Sequence, residues 1–315
     1  MKRLYPLLFA CTLLPAGAFA SCGSAYCVIN TQWDMQGLTG AAGRSAVDLR
    51  YEYIRQDRLR AGSRDISAAE DNSDTVELGT TNRNLVGTFD YSFDDHWGLG
   101  AALPMVDREH SHIVDPGGAA TVESWDFSRL GDARLLGRYQ FDAAASGDRY
   151  GLQFGLKLPT GSHDIANAAG TVAERALQPG TGSTDVLLGG FYSYRPQYRD
   201  LGWFAQALFQ RAVATRDRFR PGDQLTLTAG LNYPVSDAAT LLFQLNGLVK
   251  KRDTGANAEP DLSGGRYLYA SPGASLALDR DTQVYGFVQL PLIGNVNGIQ
   301  LVARRSFVAG ISRRF

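Results

Sequence analysis

The stretch Gly222–Pro234 reads GDQLTLTAGLNYP. Leu225, Leu227, Ala229, Leu231 and Tyr233 fall on one side of an extended chain, and Gln224, Thr226, Thr228, Gly230 and Asn232 fall on the other. Successive strand side chains point to opposite faces, so this alternation specifies a β-strand with one apolar and one polar face. The fold turns on where the apolar face points: into a core shared with a second sheet, or outward to lipid.

The same rhythm recurs along the chain, giving twelve candidate strands near 45–56, 82–93, 97–107, 130–141, 149–159, 184–195, 201–213, 223–233, 240–250, 266–278, 282–291 and 299–315. In the fifth, Tyr150, Leu152, Phe154, Leu156 and Leu158 oppose Gly151, Gln153, Gly155 and Lys157. In the first, Val47, Leu49, Tyr51 and Tyr53 oppose Asp48, Arg50 and Glu52. Each segment is about as long as a tilted membrane strand requires. Short connections near 94–96, 142–148, 196–200, 234–239 and 279–281 alternate with longer ones near 57–81, 108–129, 160–183, 214–222, 251–265 and 292–298. Short inner turns and long outer loops are the pattern of an outer-membrane barrel.

The polar faces carry Asp48, Arg50, Glu52, Asp90, Arg134, Arg138, Lys157, Lys250 and Arg304. A soluble sandwich would point these at water, but at the expense of open sheet edges. Closure into one barrel removes the edges and satisfies every ladder hydrogen bond, which lipid makes mandatory. The predicted fold is therefore an all-β, twelve-stranded, antiparallel transmembrane up-and-down β-barrel, oily outside and charged within. An even strand count places both ends of the barrel in the periplasm. The final ISRRF ends on Phe315, the aromatic C-terminus that barrels present to the insertion machinery. Tyr91, Tyr139, Tyr150, Tyr192, Tyr194, Trp203 and Tyr233 lie near strand ends, where aromatic girdles form.

The opening MKRLYPLLFACTLLPAGAFA has a basic start, an apolar run and a small-x-small end at Ala18-Phe19-Ala20. It reads as a signal peptide over 1–20, followed by an N-terminal segment over 21–44 and the barrel over 45–315. No other run approaches the ~20 apolar residues of a membrane helix, and the mean hydropathy is -0.18. Without Lys2 and Arg3, the 31 basic residues become 29 against 32 acidic, a net charge of -3 that offers nothing to nucleic acid. Cys22 and Cys27 remain beyond the signal peptide. In an oxidising compartment the simplest expectation is a local disulfide. A paired-thiolate metal site and lipid attachment at Cys22 are the alternatives. Residues 21–44 either fold into the lumen as a plug or hang as a tail.

Several phrases carry a family resemblance. They are LKLPTG (Leu156–Gly161), GDARLLGRY (Gly131–Tyr139), GTGSTD (Gly180–Asp185), VQLP (Val288–Pro291) and the terminal Gly310–Phe315. Together they resemble the outer-membrane family named after a protein of the phenol meta-degradation pathway, over roughly residues 45–315. The resemblance implies a barrel that moves small, often hydrophobic or aromatic, molecules across the bacterial outer membrane.

A twelve-stranded barrel is wider than the eight-stranded kind that side chains fill. Tyr267, Tyr269, Tyr285 and Phe287 fall on the inferred lumen face, where rings form either a path for an apolar solute or packing against a plug. Arg50, Glu52, Asp90, Arg134 and Arg138 either set selectivity or form an ion-pair ladder. Pro104, Pro159, Pro234 and Pro291 stand where strands end or the wall has gaps. His110 and His112, spaced to point the same way on an extended chain, are the candidate metal ligands, with Glu109 and Asp115 as oxygen donors. They fall in the expected 108–129 loop. For catalysis there are only His96, His110, His112 and His163, and the adjacent Ser162-His163 lacks the geometry of a nucleophile–base pair. PGTGSTD lacks the lysine and spacing of a phosphate loop. The expected protein is a channel with no enzymatic activity and no cofactor; a structural or adhesive barrel with a closed lumen and an outer-membrane hydrolase are the alternatives. Its partners are outer-membrane lipid, a small solute and the insertion machinery.

Overall fold

The computed structural model describes residues 21–22, 43–142, 147–195 and 200–315. Twelve strands form one closed antiparallel barrel. They are β1 (Ser45–Ala61), β2 (Thr75–Ser92), β3 (Trp97–Val114), β4 (Thr121–Leu130 and Ala133–Gln140), β5 (Asp148–Leu158) and β6 (Thr184–Tyr194). The second half comprises β7 (Gly202–Ala214), β8 (Gln224–Pro234), β9 (Ala239–Lys250), β10 (Gly265–Ala277), β11 (Thr282–Val296) and β12 (Ile299–Arg314). Both parts of β4 pair with β3, one with its outer half and one with its inner half. Pairing of β12 with β1 closes the ring, and Phe315 and Ser45 exchange two backbone hydrogen bonds at its inner end.

The apolar faces point outward. On β8, Leu227, Leu231 and Tyr233 are 47, 43 and 50% exposed, whereas Thr228 between them is 6% exposed. On β5, Leu152, Phe154 and Leu156 are exposed while Gln153 and Lys157 are buried. A soluble sheet would show the reverse. At the inner rim, ring contacts run from Trp97 through Tyr139 and Phe141 to Tyr150, and Tyr192 stacks on Trp203. This is the girdle that strand-end aromatics form at a membrane interface.

The outer ends of the strands reach further than the alternation predicts. β3 continues to Val114, so the connection to β4 shrinks to 115–120, and β11 joins β12 through Asn297 and Gly298 alone. Gly298 takes a φ of 61°, and a Cβ there would stand 2.5 Å from the Asp261 carbonyl oxygen. Above the lipid belt the outward face is no longer uniformly apolar, which erases the two-residue pattern. Outward-facing Arg83 pairs there with Asp107 and Glu109. Arg304, expected inside, lies in a bulge of β12, exposed, with its Nε 3.4 Å from Asp57.

Pro291 sits near a register shift between β10 and β11. Among the described residues the β11–β12 ladder ends at the Gln289–Ser306 pair, although both strands continue outward. Ser21–Cys22 pairs in parallel with Gln300–Leu301 on β12. The expectations for Cys27 and the rest of the plug segment lie outside the described residues, as does the side chain of Cys22.

Candidate functional site: the lumen and its folded-in loop

The inner wall has two chemically different halves. On β1–β6 it carries ionised groups in pairs. Arg50 Nε donates to Glu52 Oε1 at 2.7 Å, and Arg138 donates to Asp90 at 3.2 Å and to Ser92 Oγ at 2.9 Å. On β7–β12 the inward positions are apolar or uncharged, apart from Lys250 near the outer end and Arg314 near the inner end. Phe204, Leu242, Tyr285, Phe287 and Val308 form one buried cluster. Leu248, Tyr267, Val296 and Val302, with Tyr269 against them, form another. At the seam between the halves, the Tyr285 hydroxyl donates to Asp48 Oδ2 at 2.8 Å.

The loop joining β5 to β6, residues 159–183, folds back into the outer lumen. Its Ala173 and Leu177 are buried against Leu59, Val76, Val106, Trp125, Phe127 and Leu301, side chains of five different strands. Trp125 Nε1 donates to the Thr171 carbonyl at 2.9 Å, and Arg108 donates to the carbonyls of Ala176 and Leu177. The roots of the loop are tied by one carboxylate. Asp132 accepts from the Gly161 and Thr181 amides, the Thr181 hydroxyl and Lys157 Nζ, all between 2.7 and 3.1 Å. Lys157 also donates to Thr181 Oγ1 and the Ser183 carbonyl, and lies 3.6 Å from Asp185. Charge-assisted hydrogen bonds of this kind are about twice as strong as neutral ones. Three phrases far apart in the chain, GDAR, LKLPTG and GTGSTD, thus meet at a single knot.

Outside the inserted loop is a cavity of about 350 Å³ whose lining includes Asp164, Glu174, Asp217, Asp253 and Glu259 with His163 and Arg175. Burial and the neighbouring carboxylates of Glu259 and Glu77 push the Glu174 carboxyl well above the usual range. Burial, then Asp253, pushes Glu259 up to about 7.

Tyr285 with Phe287, and Tyr267 with Tyr269, fall in two separate clusters on the lumen wall, and Arg50–Glu52 and Arg138–Asp90 are ion pairs on β1, β2 and β4. Arg134 takes an inward register position between Ala102 and Lys157. His110 and His112 are on β3 and inside the barrel, not in a loop, because that strand runs on past the belt. Neither expected oxygen donor joins them: Glu109 points outward to Arg83, and Asp115 follows the end of β3. Glu77 on β2 takes that place. Alternation within one strand gives no sign of Glu77, since only the β2–β3 register sets it opposite His112. The Asp132–Lys157 knot has no signal in the sequence beyond the motifs that carry it.

No family model matches the chain, and no curated protein does. Among solved structures, the COG4313 outer membrane channel from Pseudomonas putida F1 superposes with a TM-score of 0.61 at 16% identity, over 87% of this chain and 96% of that one. The NanC porin gives 0.47 at 11% identity, over 85% and 98% of the two chains. At 16% identity the likeness to the first is one of fold: a closed β-barrel.

Proposed function

We propose that the protein is a bacterial outer-membrane channel for the passive passage of small molecules with an apolar or aromatic portion. The observation that carries this reading is the division of the lumen wall into a paired-charge half and an aromatic and aliphatic half. A solute with a ring at one end and a polar group at the other can satisfy both sides at once. The resemblance to the family named after the phenol meta-degradation protein supports the aromatic part. The apolar outward belt and the signal peptide expected over 1–20 support residence in the outer membrane.

Uptake of benzoate and of a neutral hexose into liposomes holding the full mature chain tests this. Benzoate is expected to cross faster, and Phe287→Asp is expected to cut its flux by an order of magnitude while ion conductance persists. A barrel that passes neither solute and carries no current in a planar bilayer defeats the channel reading.

The inward fold of residues 159–183 favours a second reading, a structural or adhesive barrel whose lumen stays shut. That reading requires a silent lumen even after the loop is released from Asp132.

A further inference from the structure

We propose that Glu77, His110 and His112 form a zinc-type divalent cation site at the outer rim of the lumen. The proposal is independent of what the channel carries. His110 and His112, two apart on β3, project to the same inward face. The ladder sets Glu77 opposite His112 on one side and Trp125 opposite His110 on the other. All three residues are buried, and one donor atom from each lies within 4.8 Å of the others.

The spacing fits a metal. His110 Nε2 is 3.3 Å from His112 Nδ1 and 3.4 Å from Glu77 Oε2. Zinc bonds of ~2.0–2.1 Å place ligand atoms ~3.3–3.4 Å apart at the corners of a tetrahedron. Two edges of that tetrahedron are already formed, and the third closes on binding. Two imidazoles and a carboxylate suit zinc, with a fourth position left for water.

The outer nitrogens are held as metal-binding imidazoles require. His110 Nδ1 lies 2.9 Å from Thr80 Oγ1, and His112 Nε2 lies 3.4 Å from Glu123 Oε2. In the tautomers that carry the N–H on those outer nitrogens, the facing nitrogens, 3.3 Å apart, are both available to one cation. Such outer partners fix tautomer and ring orientation at metal sites.

The acidic cavity lies close to the site. Ala173 and Glu174 line the acidic cavity above the loop, and Ala173 packs in the same cluster as Trp125. The Trp125 ring stands 5.7 Å from the His110 ring and 5.0 Å from that of His112.

The test uses the untagged mature chain, folded in detergent, stripped with chelator and dialysed against zinc chloride or cobalt chloride. Wild type is expected to retain one zinc per chain and to give the intense visible absorption of tetrahedral cobalt. Thr80→Val and Glu123→Gln should weaken zinc binding by ~10- to 100-fold, the usual effect of losing an outer partner. His110→Ala and Glu77→Gln should weaken it further. Unheated gel mobility reports whether each variant is folded. Retention of zinc by wild type no greater than by the His110→Ala/His112→Ala double variant overturns the site. So does octahedral cobalt in wild type, a result that depends on no variant folding.

Discussion

Asp132→Ala is expected to remove about 3–5 kcal/mol of folding stability and to raise single-channel conductance severalfold. The stability figure is the usual penalty for stripping one partner from a buried ion pair. Here the side chains of Asp132 and Lys157 are 7 and 4% exposed. The loss is compounded because the Gly161 and Thr181 amides lose their acceptor together with the charge. Those amides are the two roots of the inserted loop, so the substitution frees the loop where it leaves and rejoins the wall. Asp132→Asn, which keeps an acceptor but not the charge, should fall between wild type and Asp132→Ala in both measurements. Urea unfolding in lipid vesicles reads the first quantity and planar-bilayer recording the second. If Asp132→Ala folds with wild-type stability, the knot does not hold the loop. If the loop is released and no current appears, the lumen is closed by something else.

Phe154→Arg is expected to cost about 2–4 kcal/mol, the range for a cation near the midplane on the lipid face of a barrel. Phe154 is 42% exposed and stands midway along β5 between Leu152 and Leu156, which face the same way. Phe154→Leu should change stability by less than about 1.5 kcal/mol, because a smaller apolar side chain in lipid leaves no packed cavity. If arginine and leucine at this position prove equivalent in vesicle unfolding, the outward belt does not contact hydrocarbon.

The sequence announces the lipid-spanning part of each strand because the solvent on one side is hydrocarbon. Leu152, Phe154 and Leu156 must be apolar and Gln153 and Lys157 need not be, so alternation is enforced residue by residue. Above the belt that constraint lapses. After Met105, Asp107 and Glu109 face outward while Arg108, His110 and His112 face inward, and no period separates the two faces. Strand therefore reads like loop there. The aromatic wall was legible for the same reason as the belt, since Tyr267, Tyr269, Tyr285 and Phe287 follow the parity of their strands. The partners of charged residues were not legible. Lys157 and Asp132 are 25 positions apart, and Glu77 and His112 are 35 positions apart. Register between strands, not pattern within one, brings each pair together.

The outward apolar run on β3 goes from Trp97 to Met105 and gives way to Asp107. Eight residue steps of ~3.3 Å, projected through a tilt of ~40°, span only ~20 Å of hydrophobic thickness. A hydrocarbon slab of ~30 Å would have to pinch around the molecule or drown its ionic collar. Mismatch of that size makes the leaner bilayer the more comfortable host, so thickness alone sorts this chain toward the thinnest envelope on offer.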